Sequence, residues 1–139
     1  MKVKIINEDA KLPLRANPTD AGADLFSPVD LLIEGWNNGF IDFGIQIELP
    51  ENTVGLIFAR SKLGGMGVRP RNCVGVIDEK YRGNLGMMVE NDNGTSYQIS
   101  KGDRIAQLVI VPVLTPEFEV TEEFEDGIGR DGGFGSTGK

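Results

Sequence analysis

The sequence predicts an all-β protein, with the layout of a β-sandwich, jelly roll or barrel. Helical periodicity is nearly absent, because no stretch repeats apolar residues at helical spacing over three turns. Short runs with strand character recur instead, separated by turn signals rich in Gly, Pro, Asn and Asp. The 19 glycines and seven prolines among 139 residues suit many short connections.

The expected strands follow one another along most of the chain. The clearest is residues 40–49, where Ile41, Phe43, Ile45, Ile47 and Leu49 alternate with the other positions and are expected to face the core. One short helix is expected at most, at residues 61–66, and two adjacent glycines weaken it. The predicted strands are residues 2–7, 25–33 (one or two strands around a proline), 40–49, 54–59, 74–77, 85–90, 96–99 and 104–113.

Length and composition predict one domain, residues 1–120, followed by a Gly-rich C-terminal arm, residues 121–139. No apolar run approaches the ~20 residues that span a bilayer, and the N-terminus lacks the apolar stretch of a signal peptide. The single cysteine, Cys73, excludes an internal disulfide framework. We therefore expect an intracellular protein that does not act at a membrane.

The chain has no histidine, which excludes Ser-His-Asp and Cys-His catalysis and argues against a zinc site. A general base must then be Asp or Glu, or less often Lys or Tyr, and a metal should be a hard cation such as Mg²⁺. The net charge of −7 argues against general nucleic-acid binding. Basic residues nevertheless cluster between residues 58 and 82, which fits either a small anionic ligand or a solvated face.

The arm combines glycines with side chains that suit a nucleotide. Its glycines let backbone N–H groups turn toward phosphate oxygens, and Arg130, Ser136 and Thr137 add donors. Phe134 offers a flat face on which a base can stack. The alternative is a disordered tail, the usual state of such a composition.

Two further segments carry candidate chemistry. Arg60, Ser61 and Lys62 follow a predicted strand and can grip phosphate, or form a charged surface with a helix cap. Asp78 ends an apolar strand before Tyr81, and can either hold a water as a general base or serve as a turn residue.

The remaining polar candidates flank predicted strands near each end of the domain. Asp20 and Asp24 sit on either side of a glycine and can help hold Mg²⁺, directly or through water, or act in a turn. Asp103 and Arg104 are interpreted as a structural turn element. Gln107 is expected among apolar neighbours, where a buried amide needs partners.

These five segments, in this order, resemble the five motifs of the trimeric dUTPase family over nearly the whole chain. Each motif is modest alone, but five in register are highly specific. The matching segments are Asp20-Ala21-Gly22-Ala23-Asp24-Leu25-Phe26-Ser27, Arg60-Ser61, Asn72 through Gly75-Val76-Ile77-Asp78 to Tyr81-Arg82-Gly83, Gly102-Asp103-Arg104-Ile105-Ala106-Gln107-Leu108, and Arg130 to Gly138.

The resemblance implies a distorted jelly-roll subunit, a homotrimer with sites at subunit interfaces, and Mg²⁺-dependent hydrolysis of dUTP to dUMP and pyrophosphate. Such a reaction removes dUTP from the DNA precursor pool and supplies dUMP for dTMP synthesis. The implied roles are water orientation by Asp78, a metal contact through water by Asp24, base and sugar contacts by Asn72, Gly75, Val76, Ile77, Tyr81 and Phe134, and phosphate contacts by Arg60, Ser61, Lys62, Gln107, Arg130, Ser136 and Thr137.

Three positions depart from the family pattern. Ala59 and Lys62 stand where Pro and Gly are frequent, and Lys80 stands where a second acid is frequent. Two other functions stay open at this point. One is a related dCTP deaminase, alone or combined with dUTPase activity, which would need an added acid/base group. The other is a nucleotide-switched regulatory trimer without turnover.

Overall fold

The computed structural model describes residues 1–124, which form short antiparallel strands and one short helix. The predicted all-β class is therefore confirmed. Within residues 1–124, no helix is long and apolar enough to cross a membrane. The elements are β1 Lys2–Ile5, β2 Gly22–Phe26, β3 Leu31–Ile33, β4 Asn38–Asp42, β5 Ile45–Glu48, β6 Thr53–Ala59, α1 Ser61–Gly65, β7 Val68–Pro70, β8 Gly75–Ile77, β9 Gly86–Asn91, β10 Tyr97–Ile99 and β11 Arg104–Pro112.

The strands form four small antiparallel sheets, as in a distorted jelly roll. The largest has the order β2-β11-β6-β8, and a second has the order β4-β9-β7. Two-stranded pairs, β1-β5 and β10-β3, complete the described sheets. Since β11 lies between β2 and β6, it brings together chain segments that are about 35 residues apart in sequence.

The core is built from the apolar positions that the alternating pattern selects. Ile41, Phe43, Ile45, Ile47 and Leu49 are each at most 5% exposed, as the sequence predicts. Fully burying such side chains contributes roughly 1.5–3 kcal/mol each relative to leaving them exposed. The same core cluster contains Met87 and Val89 of β9, the strand that pairs with β4.

The predicted strand at residues 40–49 is in fact two strands, β4 and β5. The chain turns at Gly44, whose φ is +69°, a conformation that favours glycine. The Asp42 carboxylate accepts the Gly44 N–H at 2.8 Å, and the Gly44 carbonyl accepts the N–H groups of Ile6 and Asn7. The alternation continues through this turn, so the pattern predicts the buried face correctly and the strand end incorrectly.

Most of the other predicted strands differ from the observed ones by one or two residues at an end. The segment at 25–33 forms two strands, one of the expected alternatives, but β2 begins earlier, at Gly22, and α1 covers most of the expected helix. Strand β7 was not predicted, because it is three residues long and ends in Pro70. Its pairing with β9, rather than its own propensity, makes it a strand.

The described chain continues past β11 as an irregular segment, residues 113–124. Beyond Val113 its large apolar side chains are largely exposed, with Leu114 at 90%, Phe118 at 100% and Val120 at 99%. Residues 125–139 lie outside the described residues. The arm beginning at residue 121 and its four candidate residues, Arg130, Phe134, Ser136 and Thr137, therefore remain predictions.

Candidate functional site

Side chains from three of the predicted segments line one cavity of about 520 Å³, which we call the arginine cavity. Strand pairing explains their convergence. Asp24 on β2 is the register partner of Gln107 on β11, and Ala106 is the partner of Ala59, which directly precedes Arg60. The cavity is lined by Ala16, Asp20, Ala21, Gly22, Asp24, Arg60, Ser61, Lys62, Arg104 and Gln107.

Two arginines converge on the Asp24 carboxylate in this cavity. The Arg60 Nε lies 2.7 Å from one carboxylate oxygen, and the Arg104 Nη1 lies 3.2 Å from the other. The Asp24 side chain is only 14% exposed, whereas those of Arg60 and Arg104 are 33% and 45% exposed. The carboxylate thus orients two guanidinium groups, which keep other N–H donors available for an anionic ligand.

Arg104 lines the arginine cavity, although the sequence reasoning assigned it to a structural turn. The turn itself is real, because the Asp103 carboxylate accepts the Ser100 N–H at 2.8 Å. Arg104, however, begins β11 opposite Phe26, with its guanidinium 6.0 Å from the centre of that ring. Only knowledge of the β2–β11 pairing could have placed it beside Asp24.

Gln107 is held in the arginine cavity by a close-fitting neighbour. Its Nε2 donates to the Ala59 carbonyl at 2.9 Å, leaving the second amide hydrogen available for another acceptor. A Cβ at Gly22 would lie 2.4 Å from the Gln107 Oε1. The absence of a side chain at Gly22 therefore leaves the space that the Gln107 amide occupies.

The carboxylates of the arginine cavity are the side chains to compare with the expected Mg²⁺ site. Asp20 accepts hydrogen bonds from the backbone and side-chain nitrogens of Asn17, so it serves the turn that the sequence left as one alternative. Among residues 1–124 no group of three His, Cys, Asp or Glu side chains could hold a metal ion. The acidic side chains that line the cavity are Asp20 and Asp24, and both already bind protein nitrogens.

A second cavity of about 400 Å³, which we call the hairpin cavity, contains part of the third predicted segment. Asn72 and Gly75 line it, and Gly75 is the register partner of Ile57 on β6. A Cβ at Gly75 would lie 3.2 Å from the Ile57 Cβ, so a side chain there would crowd the wall. The full lining is Ile57, Arg71, Asn72, Gly75, Gly86, Met87 and Met88, of which only Asn72 and Gly75 were predicted as site residues.

Asp78 lines a third cavity, of about 370 Å³, which we call the Asp78 cavity. Val76 lines it as well, because residues two apart on a strand share a face. Tyr81 lies outside the lining of these three cavities, and its hydroxyl donates to the Asn84 carbonyl at 2.9 Å. The rest of the lining is Asn52, Thr53, Val54, Glu79, Lys80, Val113 and Thr115.

Within one copy of the chain, the Asp78 cavity and the arginine cavity are separate. They share no lining residue in the described part of the chain. Asp78 follows Ile77, the register partner of Gly55, so it lies near Val54, whereas Arg60 is six residues further along and past the end of β6. At about 3.3 Å per residue, that separation is roughly 20 Å.

The basic cluster between residues 58 and 82 is not one surface. Arg60 and Lys62 line the arginine cavity, and Arg71 lines the hairpin cavity. Arg69 pairs with Glu90 and Asp92, and Arg82 donates to the carbonyls of Glu79 and Tyr81. An anionic ligand could therefore meet Arg60, Lys62 and Arg71, which line cavities. Arg69 and Arg82 instead bind other groups of the protein.

Comparison with known proteins identifies relatives of the whole chain. The dUTPase family model matches residues 8–138. The deoxyuridine 5'-triphosphate nucleotidohydrolase of Clostridium tetani is 44% identical over 140 residues, covering 100% of this chain and 97% of that protein. The sequence similarity therefore includes the segment beyond the described residues.

Two solved dUTPase structures have the same fold as this chain. Staphylococcus bacteriophage 80alpha dUTPase with dUPNHPP superposes with a TM-score of 0.90 at 34% identity, covering 99% of this chain and 98% of that one. A variant of the dUTPase from phage phi11 of S. aureus, described with a structural Mg(II) ion, has a TM-score of 0.81 at 32% identity and covers 89% and 97% of the two chains.

Proposed function

The chain belongs to the dUTPase family, and we propose from this membership and its site that it hydrolyses dUTP to dUMP and pyrophosphate. The observation that carries the proposal is the convergence of Asp24, Arg60 and Gln107 in one cavity with Arg104. Phosphoryl transfer depends mainly on positioning and charge neutralisation, which such a cavity supplies. The proposed location is intracellular, where nucleoside triphosphates are made.

The triphosphate is assigned to the arginine cavity. Arg60 and Arg104 are oriented by Asp24 before the substrate arrives, so their donors need little reorganisation as charge develops on the phosphates. Ser61 adds a hydroxyl at the start of α1, and Gln107 adds its remaining amide hydrogen. Lys62 lines the cavity in place of the frequent glycine, and its ammonium supplies a further positive charge.

The nucleoside is assigned to the segment from Asn72 to Tyr81. Asn72 and Gly75 line the hairpin cavity, where the backbone from Gly75 through Val76 to Ile77 is proposed to read uracil. The Tyr81 ring, fixed by its hydrogen bond to Asn84, is proposed to lie against the deoxyribose and leave no room for a 2′-hydroxyl. These contacts discriminate the base and sugar from those of competing nucleotides.

Asp78 is the proposed general base, which orients the water that attacks the substrate. Without histidine, a carboxylate is the natural choice for this step. Asp78 lines an open cavity at the end of β8, three residues beyond Gly75. The carboxylate orients a water and takes up its proton as the water oxygen bonds to the α-phosphorus. The bond from that phosphorus to the oxygen that bridges to the β-phosphate breaks at the same time, so dUMP forms and pyrophosphate leaves.

The separation of the cavities supports a site shared between copies of the chain. A water held by Asp78 cannot reach a phosphate bound about 20 Å away in the arginine cavity of the same copy. A second copy that brings its Asp78 cavity to this arginine cavity removes the difficulty. The exposed apolar side chains of Leu114, Phe118 and Val120 also need a covering surface. We assign the assembly as the homotrimer that the family resemblance implies.

Mg²⁺ is the proposed cofactor, with Asp24 as its protein contact through water. When bound, the ion would neutralise charge on the phosphate oxygens and fix their orientation. The described residues fit this weak, water-mediated mode better than a protein cage. Arg130, Ser136 and Thr137 of the arm are proposed to clamp the terminal phosphate, and Phe134 to stack on the base.

The decisive experiment measures pyrophosphate release from dUTP, dCTP, dTTP and UTP in parallel, with and without Mg²⁺. We expect rapid release from dUTP with Mg²⁺ and little from the others. Ammonia release from dCTP would instead support a deaminase. Binding of dUTP without turnover would support a nucleotide-switched regulatory protein. Either result, without pyrophosphate release from dUTP, would overturn the proposal.

A further inference from the structure

The turn between β5 and β6 contacts two other parts of the chain. One is the loop that connects β8 to β9, residues 78–85, which we call the Asp78 loop; the other is the end of β11. At the centre of the turn, Asn52 has a φ of +57°, which places its N–H and carbonyl toward different partners. The Asn52 N–H donates to the Glu79 Oε2 at 2.8 Å, and the Asn52 carbonyl accepts the Val113 N–H at 3.0 Å. A single residue thus joins the loop that follows β8 to the root of the C-terminal segment.

Glu79 is held from both sides of its carboxylate. Its Oε1 lies 2.6 Å from the Lys80 Nζ, while its Oε2 accepts the Asn52 N–H. The hydrogen bond from Lys80, and then that from the Asn52 backbone, lower the pKa of Glu79 below its ordinary value. The carboxylate is therefore charged at neutral pH and remains an acceptor for Asn52.

The other hydrogen bonds of the Asp78 loop join residues that are close together in sequence. The Tyr81 N–H donates to the Asp78 carbonyl at 3.0 Å, and the Arg82 guanidinium donates to the Glu79 carbonyl at 2.8 Å. These bonds shape the loop internally. Of the side-chain hydrogen bonds made by residues 78–80, the one from Asn52 to Glu79 connects the loop to a distant part of the chain, 27 residues away in sequence.

We infer that Glu79 is a positioning residue for the reaction, which holds Asp78 at its working position by anchoring the Asp78 loop to Asn52. The inference rests on the proposed function and adds a residue to it. A general base must stay within hydrogen-bond reach of the attacking water, and small misplacements are costly in rate. Because Glu79 acts through Asp78, losing it affects the chemical step more than substrate binding.

The test compares Glu79→Ala with Glu79→Gln in steady-state hydrolysis of dUTP. Alanine removes the acceptor, and we expect kcat to fall about tenfold or more with KM changed less than about twofold. Glutamine keeps an oxygen that accepts the Asn52 N–H, so it should restore most of kcat. Calorimetric titration with dUpNHpp should give wild-type stoichiometry for both variants, which shows that the slow variant is fully folded.

Glu48→Ala is the matched control, because it removes another lysine-paired carboxylate at a position outside the linings of the three cavities. We expect near wild-type kcat from it. A second readout places Glu79→Ala in an Asp78→Asn background under single-turnover conditions. If Glu79 acts through Asp78, the residual rate should fall no further.

Four results would each overturn the inference: wild-type kcat in Glu79→Ala, a Glu79→Gln rate as low as that of Glu79→Ala, a Glu48→Ala rate as low as that of Glu79→Ala, or an additional loss in the Asp78→Asn background. Failure of the proposed function is distinguishable. In that case the wild-type protein itself releases no pyrophosphate from dUTP.

Discussion

A methyl group added at Gly22 tests the arginine cavity without removing any of its side chains. In Gly22→Ala the new Cβ would lie 2.4 Å from the Gln107 Oε1 and 3.3 Å from its Cδ. Real Cβ atoms do not approach so closely, and the atoms in the way form the end of a flexible side chain. The Gln107 amide should therefore rotate away, breaking its 2.9 Å bond to the Ala59 carbonyl.

The displacement has different consequences for stability and for activity. An ordinary hydrogen bond contributes about 1 kcal/mol, so the free energy of unfolding should fall by about that amount. A bond to a charged phosphate contributes about 1.5–3 kcal/mol. Losing the Gln107 contact should therefore lower kcat/KM for dUTP by about tenfold to a hundredfold, at about 1.4 kcal/mol per factor of ten.

The assay is steady-state pyrophosphate release, with urea unfolding of the same preparations at fixed protein concentration. Gly65→Ala is the control, because its added Cβ meets no atom within 4 Å and Gly65 lies at the end of α1, near the same cavity. We expect wild-type kcat/KM from this control. An unchanged kcat/KM in Gly22→Ala, or an equal loss in Gly65→Ala, would refute the assignment of Gln107 to phosphate.

Three further predictions follow from the proposed site and the core. Asp78→Asn should abolish pyrophosphate release while dUTP still binds, as followed by calorimetry; normal turnover would remove Asp78 from the general-base role. Truncation after Gly129 should leave a folded oligomer with severely reduced turnover, measured by sizing and by pyrophosphate release, and full activity would exclude a role for the arm. Phe43→Ala, at a position only 1% exposed, should lower the free energy of unfolding by about 3–5 kcal/mol in urea titration. Phe40→Ala, at a position 59% exposed, is its control and should cost less; equal losses would contradict the assigned core.

Local patterns predict the buried faces of this fold better than its strand ends. The alternation from Ile41 to Leu49 identifies the core correctly, because side-chain direction depends only on the two-residue period. It does not reveal the turn at Gly44, which depends on hydrogen bonds to Ile6 and Asn7 from another part of the chain. Strand β7 was missed for the same reason, since β9 supplies its pairing.

The candidate site could also be predicted from the sequence only in part. The family resemblance names Asp24, Arg60 and Gln107 as site residues, and the structure brings these three into one cavity, while their roles stay predictions. Composition and spacing alone could not show that Asp24 binds Arg104, because the two residues are 80 positions apart. Nor could they show that Asp78 lies in a different cavity, since that depends on the register of β6 with β8.

If each site is shared between copies of the chain, as proposed, the division has a genetic consequence. A copy that is damaged at Arg60 still offers an intact Asp78 to its neighbour, and a copy damaged at Asp78 still offers an intact Arg60. In randomly mixed oligomers of the two dead proteins, on the order of a quarter of the shared sites would combine both sound halves. Two inactive alleles in one cell would then complement each other, and a dominant-negative allele would have to damage both surfaces or the assembly itself.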